Sequence, residues 1–186
     1  RRTVARLAAF VTGVLVVAVP AATNAGPVHA AGEGLVVSEL MYHAPDTDPD
    51  YAALEFIELT NPGPDPVDAS GWSFTAGITV ATPDLRLAPG TVVAPHGYLV
   101  GSSDPALYAA RYGRPADFSY AGTSLSNGGE EVRLVDANGT LVDDVVYDDV
   151  APWPVAPDGF GPSLELGSPD DDNALASSWH ASTVDF

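Results

Sequence analysis

Asp46, Asp48 and Asp50 stand at alternate positions of the turn-prone stretch Asp46-Thr47-Asp48-Pro49-Asp50. Three carboxylates so spaced offer the oxygen array that a hard cation such as Ca2+ accepts. Asp170-Asp171-Asp172-Asn173 is a second such cluster and Asp148-Asp149 a third. None is a complete EF-hand loop, because the glycine at the sixth position and the distal glutamate are missing, so solvated loop carboxylates are the plainer reading. Trp153, held between Pro152 and Pro154, and Trp179, beside His180, are the candidates for a ligand platform on which a sugar ring would stack. Packing of these indoles beside a sheet is the alternative.

Catalytic templates find less support. His43, His96 and His180 do not form a His-Glu-x-x-His pair of metal ligands. Gly122-Thr123-Ser124-Leu125-Ser126 lacks the final glycine of a nucleophile elbow. Paired carboxylates for glycoside hydrolysis fail on strand geometry: Glu130 and Glu131, Asp143 and Asp144, or Glu55 and Glu58 point to opposite faces of an extended chain. An acid pair would have to be assembled from two different strands. No catalytic residue is assigned, and the chain is read as a nonenzyme.

Composition narrows the classes further. The chain has 186 residues and no cysteine, which excludes disulfides, thiolate catalysis and cysteine-built metal sites. All seven basic residues are arginines, so a P-loop or a Schiff-base lysine is equally excluded. The formal net charge of −18 repels a phosphate backbone, so direct nucleic-acid binding is not expected. At 46% hydrophobic and 17% charged residues, the chain can bury a core.

Arg1, Arg2 and Arg6 precede an apolar run over 7–19, after which Pro20 and a small-residue stretch follow. This is the layout of a secretory signal, with cleavage expected after Ala30 at Val28-His29-Ala30. The run is too short for a membrane span, which takes about 20 residues. A secreted or cell-surface location is therefore expected, with 31–34 as a short linker and 35–183 as the domain. Removal of 1–30 would leave 25 acids against Arg86, Arg111, Arg114 and Arg133.

The elements that must position these groups read as short strands. Apolar runs appear at 35–42, 54–60, 72–80, 91–93, 98–100, 132–135 and 141–147, separated by glycine and proline turns. That spacing predicts an all-β sandwich. Asn138-Gly139 predicts a tight hairpin, since both residues tolerate positive φ. One short helix is predicted from a cap at Asp104 and Pro105 at its first position to Gly113 at its end. So short a helix needs to pack on the sandwich to be stable.

Taken in order, several stretches carry a family resemblance. They are Val37-Ser38-Glu39-Leu40-Met41-Tyr42, Glu55-Phe56-Ile57-Glu58-Leu59-Thr60-Asn61-Pro62-Gly63, Val67-Asp68-Ala69-Ser70-Gly71-Trp72 and Pro95-His96-Gly97-Tyr98-Leu99-Val100. Ser124-Leu125-Ser126-Asn127-Gly128-Gly129-Glu130, Val146-Tyr147-Asp148 with Pro152-Trp153-Pro154, and Gly161-Pro162-Ser163-Leu164-Glu165-Leu166 continue the series before Asp172-Asn173 and Trp179. The chain resembles the lamin tail domain of secreted bacterial proteins. His43-Ala44-Pro45 departs from the family pattern, in which an asparagine commonly precedes the proline.

The resemblance implies an immunoglobulin-like β-sandwich without catalytic apparatus or required cofactor. It implies a noncatalytic adhesion or scaffolding module of a larger protein, holding a protein or cell-surface polymer; the acidic loops, and not the resemblance, add Ca2+ as an optional brace. The alternatives are an accessory domain of an extracellular hydrolase or nuclease, or a carbohydrate-binding module.

Overall fold

The computed structural model describes residues 34–78 and 85–183. The expected signal at 1–30, most of the linker and the last two residues of the run 72–80 lie outside the described residues. Within them the strands are β1 (Val36–Met41), β2 (Phe56–Thr60), β3 (Val67–Asp68), β4 (Ser73–Ala76), β5 (Leu85–Arg86) and β6 (Val92–Val93). β7 (Tyr98–Ser102), β8 (Phe118–Ser119), β9 (Glu130–Val135), β10 (Leu141–Tyr147), β11 (Leu164–Leu166) and β12 (Trp179–Ala181) follow. One helix, α1 (Pro105–Tyr112), lies between β7 and β8.

A six-stranded sheet has the order β12-β11-β1-β2-β7-β8, and a four-stranded sheet the order β10-β9-β4-β5. β3 and β6 form a separate pair. All pairings are antiparallel except that of β7 with β8. The core fills the space between the two larger sheets, where Leu40, Ile57 and Leu59 meet Phe74, Leu134 and Val145. The all-β sandwich with one short helix is therefore the observed architecture.

Two register shifts explain an apolar spacing that strict alternation does not. Val37 and Leu40 lie three apart, yet both enter the core, because the β1–β2 register shifts between Val37 and Glu39. In β10, Val142 and Val145 do the same, with the shift between Leu141 and Asp143. The second shift accompanies a buried Asp143, whose Oδ2 accepts the Val37 N–H at 2.7 Å and the Asn173 amide at 2.8 Å. This carboxylate ties the two sheets together.

The helix follows its local signals. Asp104 Oδ1 accepts the N–H groups of Ala106 and Leu107, both at 3.0 Å, and Gly113 closes the helix at φ 70°. Tyr108, with Leu107 and Tyr112, packs against Phe56, Met41 and Val100 on the outer face of the six-stranded sheet. The β9–β10 turn departs from expectation. Gly139 has positive φ but Asn138 does not, and the turn is held by Asp136 Oδ1, which accepts the N–H groups of Asn138 and Thr140. The Asp136 side chain thus builds a longer loop in place of a two-residue turn.

Candidate interaction surface

The acid-rich loop after β1 spends its carboxylates inside the molecule. His43 Nδ1 lies 2.6 Å from Asp158 Oδ1, and its Nε2 lies 3.0 Å from Asp46 Oδ1. Burial disfavours the charged ring, but the hydrogen bonds and charges of Asp158 and Asp46 outweigh it and raise the His43 pKa above its ordinary value. Asp48 contacts the Arg111 guanidinium, which holds its carboxyl low with help from the Asp50 N–H. Asp50 is exposed. The three aspartates are thus not brought together around one point, and among the described residues no three acids or histidines converge to hold a metal.

The other sequence candidates also separate. Asp170 and Asp171 are exposed, whereas Asn173 is buried and bonds to Asp143. Asp148 and Asp149 follow β10 directly, and the Asp148 carboxyl hydrogen-bonds that of Asp149, raising it. Trp153 and Trp179 correct the expectation of a sugar platform. They are 9% and 5% exposed, their rings lie 6.0 Å apart, and Trp179 Nε1 donates to the Asn173 carbonyl at 2.9 Å. Both indoles belong to the buried core cluster.

Sequence reasoning missed the carboxylates that the fold does assemble. Glu39 is the register partner of both Glu165 and Glu58, so three glutamates from β11, β1 and β2 form a row across the sheet. Cross-strand partners share a face, and this one is the outer face beneath α1. Ser38 donates to Glu58 Oε1 at 2.9 Å, and Ser163 donates to Glu39. Burial pushes Glu39 up to about 7, aided by Glu58 and Glu165 and opposed by Ser163. Burial also raises Glu58.

Glu55, buried at the entry to β2, accepts the Leu125 N–H at 2.6 Å, and desolvation still lifts it to about 7. Beside it, Glu130 accepts the Ser126 N–H at 2.7 Å. Tyr147 donates to the Ser126 carbonyl at 2.7 Å, so the loop before β9 is clamped at three points. These glutamates anchor backbone. Two surface grooves, of about 260 and about 500 Å³, are lined respectively by residues around His96 and Asp170 and by residues around Arg133, away from Glu39, Glu55 and Glu58.

A two-sheet sandwich of this kind, with its acids fixing loops and its remaining carboxylates at the surface, has the immunoglobulin-like architecture on which protein-interaction domains are built. The family model described as Lamin Tail Domain matches residues 29–149, and the chain belongs to that family. No curated protein matches it. The match ends two residues after β10, so β11 and β12 lie beyond the matched residues. Among the described residues no helix is long and apolar enough to cross a membrane.

Proposed function

We propose that this domain is a noncatalytic binding module that works outside the cell or at its surface, as an adhesion or scaffolding unit that holds a protein or a surface polymer. The observation that supports this reading is the fate of its cations. Arg111 pairs with Asp48, Arg114 with Asp117 at 3.2 Å, and Arg133 with Glu131 and Asp144. Arg86 donates to the Gly71 carbonyl at 3.2 Å. His43 is taken by two aspartates. With its described cations engaged internally, a chain of 25 acids presents most of its negative charge to the medium, where it steers positively charged partners.

Full-length protein incubated with polysaccharides and nucleic acids is expected to release no product. An immobilised basic protein is expected to retain it at about 0.05 M salt and release it by about 0.5 M. Product release, or equal retention on acidic and basic surfaces, would overturn the reading. For export, residues 1–30 fused to a reporter enzyme are expected to carry it out of the cell, and retention inside removes that clause.

Calcium bracing of the loop with Asp46, Asp48 and Asp50 is part of the proposal. It requires Asp46 to leave His43 and Asp48 to leave Arg111. Calorimetry in EDTA and then in excess CaCl2 tests it: a rise in Tm of about 2–4 °C supports the brace, and an unchanged Tm removes it.

A further inference from the structure

The segment from Asp148 to Phe160 combines three properties. Its backbone is fixed: Trp153 is sunk against Trp179, Asp158 is bound to His43, and the Gly159 N–H donates to the His43 carbonyl at 3.2 Å. Its apolar side chains are nonetheless outside, with Val150 55%, Val155 57% and Phe160 79% exposed. Three of the nine large exposed hydrophobic side chains among the described residues thus fall within eleven residues. Between them stand Asp148, Asp149 and Asp158.

Tyr42 adds an independent sign. Its side chain has no exposure and its hydroxyl has no hydrogen-bond partner, although the acids nearest in influence are Asp158, Asp149 and Asp148. Asp148 Oδ1 accepts the Val150 N–H and Asp158 Oδ1 is bound to His43.

We propose that the Asp148 to Phe160 segment is a docking surface for an arginine-bearing stretch of a partner protein, with the guanidinium held by Asp149 and Asp158 and its apolar neighbours packed on Phe160, Val155 and Val150. The inference rests on the binding-module reading above. A guanidinium fits because its planar fork of donors can bridge two carboxylates while its flat face tolerates apolar contact. A second copy of the chain would bring another −18 charges to the same place. A bare metal ion finds no three converging donors. The preformed loop lowers the ordering cost of association.

The test is fluorescence anisotropy of the full chain with a labelled peptide in which arginine alternates with leucine, and with the same peptide carrying citrulline for arginine. The arginine peptide is expected to bind at least about tenfold more tightly than the citrulline one. Asp149→Asn with Asp158→Asn is expected to weaken it about tenfold and Phe160→Ser about fivefold, while the charge-matched control Asp170→Asn with Asp171→Asn changes it less than about twofold. Thermal midpoints are taken for each variant; if loss of the Asp158–His43 contact unfolds the double variant, Phe160→Ser alone decides, since that side chain is exposed. Absence of binding, equal binding of the citrulline peptide, equal loss in the control, or an unchanged Phe160→Ser each overturns the inference. Binding that survives in every variant does so while leaving the binding-module reading intact.

Discussion

Glu39 and Glu55 carry a pH dependence whose direction follows from their environment. Both are raised from an ordinary value of 4.5 to about 7, chiefly by burial. A carboxyl raised in the folded state contributes stability that is full below its unfolded value and is lost as pH climbs through the folded one. His43, raised from 6.5, acts in the same sense over a higher range: its latch between Asp46 and Asp158 is full below about 6.5 and lost as the ring deprotonates. Asp48, Asp68 and Asp136, all lowered, oppose this only as pH falls through their acidic range. The thermal midpoint is therefore expected to be highest near pH 5 and to decline through pH 7 and beyond.

Glu55→Gln keeps an oxygen for the Leu125 N–H and removes the buried charge. It is expected to stabilise the protein at pH 8 by on the order of 2 kcal/mol and to flatten the decline. A decline that persists unchanged in this variant assigns the pH response elsewhere. At this scale the sequence was readable where chemistry is local, as in the Asp104 cap and the Gly113 stop. It was unreadable where it is not. Glu39, Glu58 and Glu165 become neighbours only through strand register, and the fates of Trp153 and Trp179 depended on which way a loop turned.

Among the elements, the strands around the core were legible because apolar runs and turn residues are themselves local signals. The register shifts in β1 and β10 were not, although a trace existed in the sequence: Val37 and Leu40, and Val142 and Val145, are spaced by three where an unbroken strand would space core residues by two. β5, β8, β11 and β12 are two or three residues long and leave too short a pattern to read. The tie between sheets at Asp143 gives a test of their coupling. Asp143→Ala removes a charged acceptor and strands the Val37 N–H, so a loss of about 2–4 kcal/mol is expected by denaturant unfolding. A loss under about 0.5 kcal/mol would show that β1 and β10 are held together by apolar packing alone. Asp104→Ala, by contrast, removes only a helix cap and is expected to cost about 1 kcal/mol.

For the molecule as a whole, the excess of negative charge is a load that compactness makes worse. With a formal net charge of −18 and Arg111, Arg114 and Arg133 engaged in ion pairs, the folded state crowds like charges that the unfolded chain spreads apart. Raising NaCl from about 0.05 to about 0.5 M is expected to raise the thermal midpoint, and a fall would mean that the internal ion pairs outweigh the repulsion. Composition and turn spacing made the sandwich legible at this scale, but not the strand order, because pairing β1 with β11 joins stretches more than a hundred residues apart.

That pairing has a temporal consequence. β1 is flanked by β2 on one side and by β11 on the other, and β11 is in turn covered by β12. A chain emerging from a ribosome from its N-terminal end can therefore pair β1 with β2 early, but cannot cover the other edge of β1 until residues 164–181 have also emerged. Closure waits on contacts between distant stretches, which form slowly. Until then the larger sheet stays open on the β11 side of β1.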